Sequence, residues 1–475
     1  MKTHDLKTLI LKQFPYEANA GQEELIGKFS EFILNNTPNS LFVLKGYAGT
    51  GKTTIVSSLV NVLPSINKKS VLLAPTGRAA KVLSNYSSKQ AFTIHKKIYK
   101  LHTSPDGGTS LIPQKNYHKN TVFIVDEASM IPAGSNLLSS SLFNDRDLLS
   151  DLLEYVYESD NCKLILIGDT AQLPPVGISV SPALDISFLE KNYDLDIDFY
   201  ELTDVVRQAQ ESGILANATR IRKQIKSQQT DSPLFSLNNC DDIIRIDSSE
   251  LEDALNGMYS RYGSENTIVI CRTNKQANIF NREVRNRILY KENEIEAGDY
   301  MMIVKNNYFW LPSTSEAGFI ANGDIVELLR INRYEELYGF RFADVTIRMI
   351  DYPEQKEFDV KIILDTIMAE TPALTSEQNK SLYNNVMEDY ADVPQRKQRY
   401  LKMKSNPFFN ALQVKFAYAL TCHKTQGGQW DAVFVFKGFF PNKKIDTEYQ
   451  RWLYTAITRT TKQTYLVNFD DEFFS

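Results

Sequence analysis

The stretch that decides the fold is Gly46-Tyr47-Ala48-Gly49-Thr50-Gly51-Lys52-Thr53, which follows the apolar run SLFVLK (residues 40–45). An apolar pattern at helical spacing begins just after it, at Ile55. A glycine-rich turn between a buried strand and a helix is the setting of a phosphate-binding loop. Its glycines let backbone N–H groups converge on phosphate oxygens, and the helix N-terminus adds a favourable dipole. The segment therefore predicts a P-loop nucleotide site in a parallel α/β domain.

Within this loop, two side chains have chemical roles. Lys52 is predicted to neutralise the β- and γ-phosphates of ATP, and the Thr53 hydroxyl to ligate Mg²⁺. The alternative, a glycine-rich turn that binds no nucleotide, is disfavoured by the flanking strand and helix. We predict that these residues bind the nucleotide: Gly46, Ala48, Gly49, Thr50, Gly51, Lys52, Thr53 and Thr54.

Two further apolar runs end in polar residues that suit ATP hydrolysis. TVFIV (residues 121–125) has the β-branched and aromatic composition of a central parallel strand, and Asp126 and Glu127 follow it. We predict that Asp126 holds Mg²⁺ and that Glu127 polarises the attacking water. KLILI (residues 163–167) precedes a loop containing Gln172, which could reach the γ-phosphate. Taken alone, each of these segments would more often be a surface loop, but together with the phosphate loop they indicate a site for ATP hydrolysis.

The composition is that of an ordinary globular protein. The 475 residues are too many for a single core and predict two to four domains. A net charge of −5 and a pI of about 5.8 argue against a protein that coats duplex DNA non-specifically, so any nucleic-acid site should be a lined channel. The scattered histidines have no metal-binding spacing, which predicts that any metal ion enters together with a substrate.

Several features concern cellular location. The four cysteines are far apart and include no CxxC pair, which predicts reduced thiols in a cytoplasmic protein. No apolar run approaches the roughly 20 residues that cross a bilayer, so no membrane partner is expected. The first 14 residues carry charges within their apolar pattern and predict an amphipathic helix in place of a signal peptide.

With these segments in hand, the chain resembles the superfamily 1 helicases, and most closely their RecD and Dda branch. The resemblance covers most of the chain, in the family's order. The matching segments, besides the phosphate loop, the Asp126-Glu127 pair and Gly168 to Gly177, are Ala18 to Gln22, Ala74 to Ala80, Thr93 to Lys96, Leu202 to Gln208, Val269 to Asn274, Tyr418 to Gly427 and Leu453 to Arg459. One departure is Gln429, where many RecD-like chains carry Glu.

The resemblance implies roles for individual residues. Gln22 would read the adenine edge, and Gly427 would belong to the nucleotide site. Arg207 and Arg459 would act as arginine fingers, which adds them to a catalytic set of Lys52, Glu127 and Gln172. Single-stranded DNA would be contacted by Pro75, Thr76, Thr93, His95, Thr273, Asn274, His423 and Lys424. The alternative for His95 and His423 is a purely structural role.

The resemblance also implies a function. It predicts an ATP- and Mg²⁺-dependent DNA helicase that moves 5′ to 3′ on single-stranded DNA, acts at single-strand/duplex junctions and serves DNA repair and recombination. Two alternatives stay open: a translocase or remodeller that does not unwind, and a nucleotide-gated nucleic-acid-binding switch. Protein partners and the oligomeric state are left open, with a monomer among the options.

The expected fold is α/β, with two RecA-like P-loop motor domains built on parallel sheets, a small hairpin insertion and a β-rich insertion that includes a small barrel. ATP would lie in the crevice between the motor domains, at the carboxyl ends of their strands. The predicted limits are 1–96 and 121–225 for the first motor domain, 97–120 for the hairpin, 226–315 and 411–475 for the second motor domain, and 316–410 for the β-rich insertion.

Both insertions have two interpretations. The hairpin is signalled by Pro105-Asp106-Gly107-Gly108 and could be the wedge that splits the duplex, with Leu111 or Ile112 as an apolar pin, or a plain surface hairpin. In the second insertion, residues 395–404 carry five cations and Tyr400. This charge run is either a solvated helix face or a patch that binds the DNA backbone.

Overall fold

The phosphate-loop sequence joins β1 (Ser40–Gly46) to α3 (Lys52–Val62), as the sequence predicts. The computed structural model describes residues 2–103, 109–133, 147–206, 212–229, 231–238, 240–312, 315, 317–438 and 445–474, without the side chains of residues 101–111 and Arg396. In this part of the chain, no helix combines the length and the apolar character needed to cross a membrane.

The first motor domain is a six-stranded sheet in the order β3-β2-β6-β7-β1-β8, and every strand pair in it is parallel. The other strands are β2 (Lys69–Ala74), β3 (Ala91–Thr93), β6 (Thr121–Val125), β7 (Lys163–Gly168) and β8 (Asp196–Leu202). The helices on its two faces are α1 (Thr3–Gln13), α2 (Ala20–Leu34), α4 (Gly77–Ser87), α5 (Ile94–Ile98), α6 (Leu148–Tyr157) and α7 (Ile186–Asn192). All residues of β6 and β7 are buried, because helices cover both faces of a parallel sheet.

The hairpin insertion consists of β4 (Tyr99–Thr103) and β5 (Thr109–Pro113), which pair antiparallel in a two-stranded sheet of their own. The predicted turn at residues 105–108 and the side chain of Leu111 lie outside the described residues. Ile112 is half-buried and pairs with Lys100 across the hairpin. A hairpin is therefore confirmed at this point of the chain, whereas its role as a wedge stays a prediction.

The second motor domain is a five-stranded parallel sheet in the order β16-β10-β17-β18-β9. Its strands are β9 (Ile243–Ile246), β10 (Thr267–Cys271), β16 (Ala419–Thr421), β17 (Trp430–Phe436) and β18 (Thr460–Val467). Its helices are α9 (Leu251–Tyr262), α10 (Asn274–Glu283), which continues into a π-helix (Val284–Ile288), α13 (Cys422–Thr425) and α14 (Thr447–Ile457).

The connecting helix α8 (Gly213–Ser227) belongs with the second domain in packing terms, although the predicted first domain runs to residue 225. Ile214, Ala218 and Ile221 of α8 are buried in the same apolar cluster as α14. The reason is the amphipathic pattern of α8, since its apolar face is covered by α14.

The β-rich insertion is a closed barrel of five strands. They are β11 (Asp299–Ile303), β12 (Ile325–Leu337), β13 (Phe340–Met349), β14 (Phe358–Ile363) and β15 (Leu412–Phe416). The predicted limits 316–410 are therefore too narrow, because β11 and β15 close the barrel from outside them. Between β14 and β15 the chain forms α11 (Ser376–Glu388) and α12 (Arg396–Lys404), so the basic run at residues 395–404 is largely a helix.

The junction between the barrel and the second motor domain is held by a buried ionic network. Asp299 at the start of β11 accepts two hydrogen bonds from the guanidinium of Arg285, at 3.0 and 3.1 Å, and one from Lys291 at 2.9 Å. The hydroxyl of Tyr418, which lies between β15 and β16, donates to the same carboxylate at 3.0 Å. Both crossings of the chain between barrel and domain are thus fixed to one fully buried aspartate.

Candidate nucleotide site and nucleic-acid interface

The phosphate loop has a shape that only glycine permits at three positions. Gly49 and Gly51 have φ angles of +73° and +85°, in the region that residues with a Cβ rarely adopt. A Cβ on Gly46 would lie 2.7 Å from the Lys52 side chain. The Lys52 ammonium donates to the Tyr47 carbonyl at 2.7 Å and is thus held over the loop. The loop is a preformed cradle of backbone N–H groups with a cation beside it.

Gln22 lies against this loop, but both ends of its amide are engaged. Nε2 donates to the Thr50 carbonyl at 3.1 Å, and Oε1 accepts from the backbone N–H of Asn19, within a capping box at the start of α2. The side chain is 2 % exposed. The structure therefore shows Gln22 supporting the phosphate loop, and the predicted adenine contact would require one of these hydrogen bonds to be exchanged.

The two carboxylates after β6 lie together beside the loop. The backbone N–H of Glu127 donates to Asp126 Oδ1 at 2.9 Å, and Glu127 has a φ of +53°, an uncommon backbone for this residue type. Burial, and then the charge of Glu127, raise the pKa of Asp126 to about 6, whereas the charges of Lys52 and Arg459 lower it. The site thus places two neighbouring carboxyl groups next to a loop that carries the Lys52 ammonium.

This charge distribution fits the predicted magnesium ion. Asp126 and Thr53 offer the hard oxygen donors that Mg²⁺ prefers. In the described part of the chain, no group of three or more His, Cys, Asp or Glu side chains is placed to hold a metal by itself. Phosphate oxygens of a bound nucleotide would therefore have to complete the coordination shell, as the sequence predicts.

The second motor domain supplies the opposite wall. Arg459 follows α14, is 5 % exposed, and its Nη1 lies 3.5 Å from Glu127 Oε1. Its Nε donates to the Thr455 carbonyl at 3.2 Å, which orients the guanidinium towards the first domain. The structure thus brings two predicted catalytic residues together across the cleft. Arg207, the other predicted arginine, lies outside the described residues.

The loop after β7 also docks on the second domain. Its Leu173 backbone N–H donates to Thr455 Oγ1 at 2.9 Å, and Gln426 Nε2 donates to the Leu173 carbonyl at 2.6 Å. Gln172 beside it is 7 % exposed, and its Oε1 has no hydrogen-bond partner among the described residues. Burying an amide oxygen without a partner costs folding free energy. Gln172 Oε1 is such an acceptor, and it lies next to the cleft.

Tyr454 is a site residue to which the sequence assigned no role. Its hydroxyl contacts both the backbone N–H of Ala48, at 3.0 Å, and Asp169 Oδ2, at 2.6 Å. Tyr454 stands inside the segment that resembles the family's last motif, and that position was the available signal. Its partners lie more than 280 positions away along the chain, so their proximity was not accessible from spacing.

The predicted DNA-binding residues gather at the carboxyl edges of the two sheets. Ala74 pairs with Thr93 in neighbouring strands, which places Pro75 and Thr76 beside Thr93. In the second domain, the pairing of Cys271 with Thr421 brings the segment of Thr273 and Asn274 next to that of His423 and Lys424.

Three predicted contact residues are helix N-caps. The hydroxyls of Thr76, Thr93 and Thr273 each accept a backbone N–H of the following helix at 3.2 Å. Their side chains therefore shape the first turns of α4, α5 and α10. At the N-termini of α4 and α10, a phosphate of the strand would be bound by the backbone N–H groups, the helix dipole and the hydroxyl of the capping threonine.

Three other predicted contacts are half-buried, and burial shifts the pKa of each side chain. Burial lowers the pKa of His95 to about 4, which keeps the imidazole neutral. Burial also lowers the pKa of His423. Burial and the nearby charge of Lys415 lower the pKa of Lys424 to about 8, and its ammonium has no exposed surface. For His95 and His423, these positions are compatible with the structural role as well as with a contact to a strand, and the contact of Lys424 with a strand stays a prediction.

Gly427 is placed differently from the prediction. Its φ is +74°, and a Cβ would lie 2.8 Å from Ala79 Cβ and 3.1 Å from Thr76 Oγ1. It therefore packs against the N-terminus of α4, beside residues predicted to contact single-stranded DNA, and the three atoms nearest to this Cβ all belong to Thr76 and Ala79. The reason is the tight turn after α13, which presents Gly427 to the first motor domain.

The same contact continues through the next residues. Arg78 Nη2 donates to the Gln429 carbonyl at 3.1 Å, and its guanidinium carbon lies 4.0 Å from the Trp430 ring centroid. At this departure from the family pattern, Gln429 contacts Arg78 through its backbone carbonyl, a group that every residue type supplies.

A cleft of about 300 Å³ opens between the first motor domain and the barrel. Lys81, Phe92 and Lys96 line one side, and Asp351 and Tyr352 the other. Lys81 spans the gap, since its ammonium donates to the Ile350 carbonyl at 2.8 Å and lies 3.5 Å from Asp351. Thr93 also lines the cleft, so the cleft adjoins the residues predicted to contact single-stranded DNA.

Comparison with known proteins gives two family matches. Residues 17–233 match the family described as an AAA domain, and residues 416–467 match the UvrD-like helicase C-terminal domain. The first match contains the phosphate loop and the carboxylates after β6. The second contains Arg459 and the segment from Thr421 to Gly427.

Similar individual proteins extend over nearly the whole chain. Uncharacterized protein R530 of Acanthamoeba polyphaga mimivirus is 24% identical over 94% of this chain and 98% of its own length. The ATP-dependent DNA helicase dda of Enterobacteria phage T4 is 25% identical over 88% of this chain and 92% of its own. RecBCD enzyme subunit RecD of Buchnera aphidicola is 23% identical over 90% of this chain and 70% of its own.

Proposed function

Because this chain belongs to the superfamily 1 helicases of the RecD and Dda type, we propose that it is an ATP-dependent DNA helicase. It would move 5′ to 3′ on single-stranded DNA and unwind duplex at single-strand/duplex junctions, using ATP and Mg²⁺. The observation that carries the proposal is the 3.5 Å approach of Arg459 to Glu127, because it makes one hydrolytic site out of two domains.

In this site, the residues divide the chemistry of phosphoryl transfer. The loop N–H groups and Lys52 bind the β- and γ-phosphates, and Asp126 and Thr53 would hold Mg²⁺, which neutralises phosphate charge when bound. Glu127 orients the attacking water and accepts its proton. Arg459 stabilises negative charge that develops on the γ-phosphate.

Movement on DNA would follow from domain closure. The same segment after β16 contacts the loop at Leu173 through Gln426 and the N-terminus of α4 through Gly427. A change in the cleft is therefore transmitted to the strand-binding edge by a stretch of two residues. ATP binding would close the cleft and product release reopen it, so each cycle shifts one strand-binding edge against the other.

The alternatives differ in what they require. A nucleotide-gated switch needs a nucleotide site and one strand-binding surface, whereas this chain has two sheet edges joined through the cleft. A translocase that does not unwind needs the nucleotide site and both sheet edges, but it does not need the hairpin. Strand separation is therefore the part of the proposal that rests on β4 and β5. The cytoplasmic location also stays a proposal, which the four unpaired cysteines support.

The test is a helicase assay on duplexes with a 5′ or a 3′ single-stranded tail, in DNA and RNA versions, alongside ATP hydrolysis with and without oligonucleotide. We expect DNA-stimulated hydrolysis and unwinding of the 5′-tailed DNA duplex. Lys52→Ala is the control and should abolish turnover while DNA binding persists. Hydrolysis that does not respond to single-stranded DNA would contradict the helicase proposal, and stimulation without unwinding would favour the translocase.

A further inference from the structure

One tyrosine of the second motor domain reaches into the nucleotide site of the first. Tyr454 lies on α14, is 1 % exposed, and packs in an apolar cluster that includes residues of both motor domains. Its hydroxyl accepts the backbone N–H of Ala48 at 3.0 Å and donates to Asp169 Oδ2 at 2.6 Å. A single phenol oxygen thus connects the phosphate loop, the end of β7 and the second domain.

The pKa values of Tyr454 and Asp169 decide which of the two donates in the hydrogen bond between them. Burial, and then the charge of Asp169, raise the pKa of Tyr454 far above its usual value, so the phenol keeps its proton and donates it. Burial raises the pKa of Asp169 and the charge of Glu127 adds to this, whereas Lys52, the Tyr454 hydroxyl and the backbone N–H of Ala171 lower it. Tyr454 is therefore one of the few donors that stabilise this buried carboxylate.

The same helix holds the other parts of the cleft. Thr455, the next residue, accepts the Leu173 backbone N–H at 2.9 Å, and its carbonyl receives Arg459 Nε at 3.2 Å. Displacing α14 would move Arg459 away from Glu127 and break both bonds of the Tyr454 hydroxyl. The hydrogen bond between the Tyr454 hydroxyl and the Ala48 backbone N–H therefore forms only while α14 lies against the phosphate loop.

We propose that Tyr454 is a positioning residue for ATP hydrolysis: its hydroxyl fixes the phosphate loop at Ala48 and the Asp169 carboxylate when the motor domains close. Hydrolysis then depends on closure through Tyr454 as well as through Arg459. This inference rests on the proposed function, because it concerns the same ATP site.

Tyr454→Phe tests the hydroxyl while keeping the ring. Steady-state ATP hydrolysis is measured with saturating single-stranded DNA, and ATP affinity is measured separately with a fluorescent ATP analogue. We expect kcat to fall about 10- to 100-fold, the range for a lost hydrogen bond to a charged group. KM for ATP and analogue affinity should change less than about threefold, because Lys52 and the loop residues other than Ala48 do not contact the Tyr454 hydroxyl.

The matched control is Tyr259→Phe. Tyr259 lies on α9, and its buried hydroxyl has no hydrogen-bond partner among the described residues. The Tyr259→Phe variant should hydrolyse ATP with the kcat of the parent. A kcat loss in both variants would assign the effect to general loss of a buried hydroxyl and overturn the proposal.

A double-mutant cycle separates positioning from simple destabilisation. Asp169→Asn alters the acceptor of one of the two hydrogen bonds of the Tyr454 hydroxyl, so the kcat loss of the double variant Tyr454→Phe/Asp169→Asn should be smaller than the product of the two single losses. Losses that multiply would overturn the proposal. If the parent itself shows no DNA-stimulated hydrolysis, the proposed function fails. If the parent hydrolyses ATP and Tyr454→Phe matches its kcat, the tyrosine proposal alone fails.

Discussion

Arg459 and Glu127, one from each motor domain, approach to 3.5 Å between Nη1 and Oε1 in the cleft of this protein. The pair joins the residue predicted to stabilise the transferring phosphate to the residue predicted to orient water. Both are withdrawn from solvent, at 5 % and 20 % side-chain exposure, so neither charge is well screened by water. Their proximity implies that each side chain is held in place by the other until a γ-phosphate competes for the guanidinium.

Arg459→Ala should therefore lower kcat for ATP hydrolysis by about a thousandfold or more, as loss of an arginine finger does. ATP binding should persist, because the phosphate loop is unaffected. The measurement is DNA-stimulated hydrolysis at saturating ATP. Arg245→Ala, which removes a cation paired with the exposed Asp471, is the matched control and should hydrolyse ATP normally. Parent-like turnover in Arg459→Ala would exclude it from the mechanism.

Glu127→Gln should bind ATP but hydrolyse it poorly, because the amide keeps the shape of the side chain and loses its basicity. Single-turnover measurements distinguish the two steps: an unchanged binding phase and a slow chemical phase are expected. Equal single-turnover rates in variant and parent would remove Glu127 from the role of base.

Gly427→Ala tests the contact between the strand-binding edges. The added Cβ would meet Ala79 at 2.8 Å, and the φ of +74° disfavours alanine. We expect single-stranded DNA to stimulate hydrolysis several-fold less, while hydrolysis without DNA stays close to that of the parent. Gly257→Ala is the control, since a Cβ there meets nothing within 4 Å on a helix. That change should leave activity intact and raise stability by about 0.5–1 kcal/mol. Normal stimulation in Gly427→Ala would contradict the role assigned to the contact.

Asp324, which immediately precedes β12, predicts a pH-dependent stability. Burial, and then the charge of Asp351, raise its pKa to about 8 from the usual 3.8, against one lowering hydrogen bond from the Ala321 N–H. Between pH 3.8 and about pH 8, Asp324 is protonated in the folded chain and ionised in the unfolded chain. Stability therefore falls as pH rises, by at most about 1.4 kcal/mol per pH unit.

Asp324→Asn cannot ionise and should be more stable than the parent, by a margin that grows from pH 5 to pH 8. Urea unfolding at several pH values measures the margin. Asp160→Asn changes a largely exposed carboxylate and should follow the parent at every pH. A constant difference between Asp324→Asn and the parent across this range would contradict the assigned pKa.

Asp299→Ala should destabilise the protein by about 3–5 kcal/mol, because it leaves the buried cation Arg285 unpaired. Lys291 and the Tyr418 hydroxyl lose the same acceptor. Chemical unfolding is the measurement, and Asp471→Ala, a side chain 95 % exposed, should have little effect. A small change in Asp299→Ala would show that the barrel junction is held by other contacts.

The sequence by itself determined the local units. A strand, a glycine-rich turn and a helix follow each other within residues 40–62, so the phosphate loop is recognisable without any tertiary information. The same holds for the buried strands before Asp126 and Gln172, for the hairpin predicted within residues 97–120 and for the β-rich character of the second insertion. Each depends on backbone preferences and burial periods that act over a few residues.

Only the tertiary structure decided which residues that are distant in the sequence come into contact. The barrel closes through β11 and β15, which are over 100 positions apart, so its limits could not follow from composition. Gln22 supports the loop and Gly427 packs on α4, because these positions depend on how separate elements dock. Tyr454 reaches Ala48 from 406 positions away. Sequence spacing carries no information on such a contact, since it arises from the packing of two domains whose facing surfaces are assembled from distant segments.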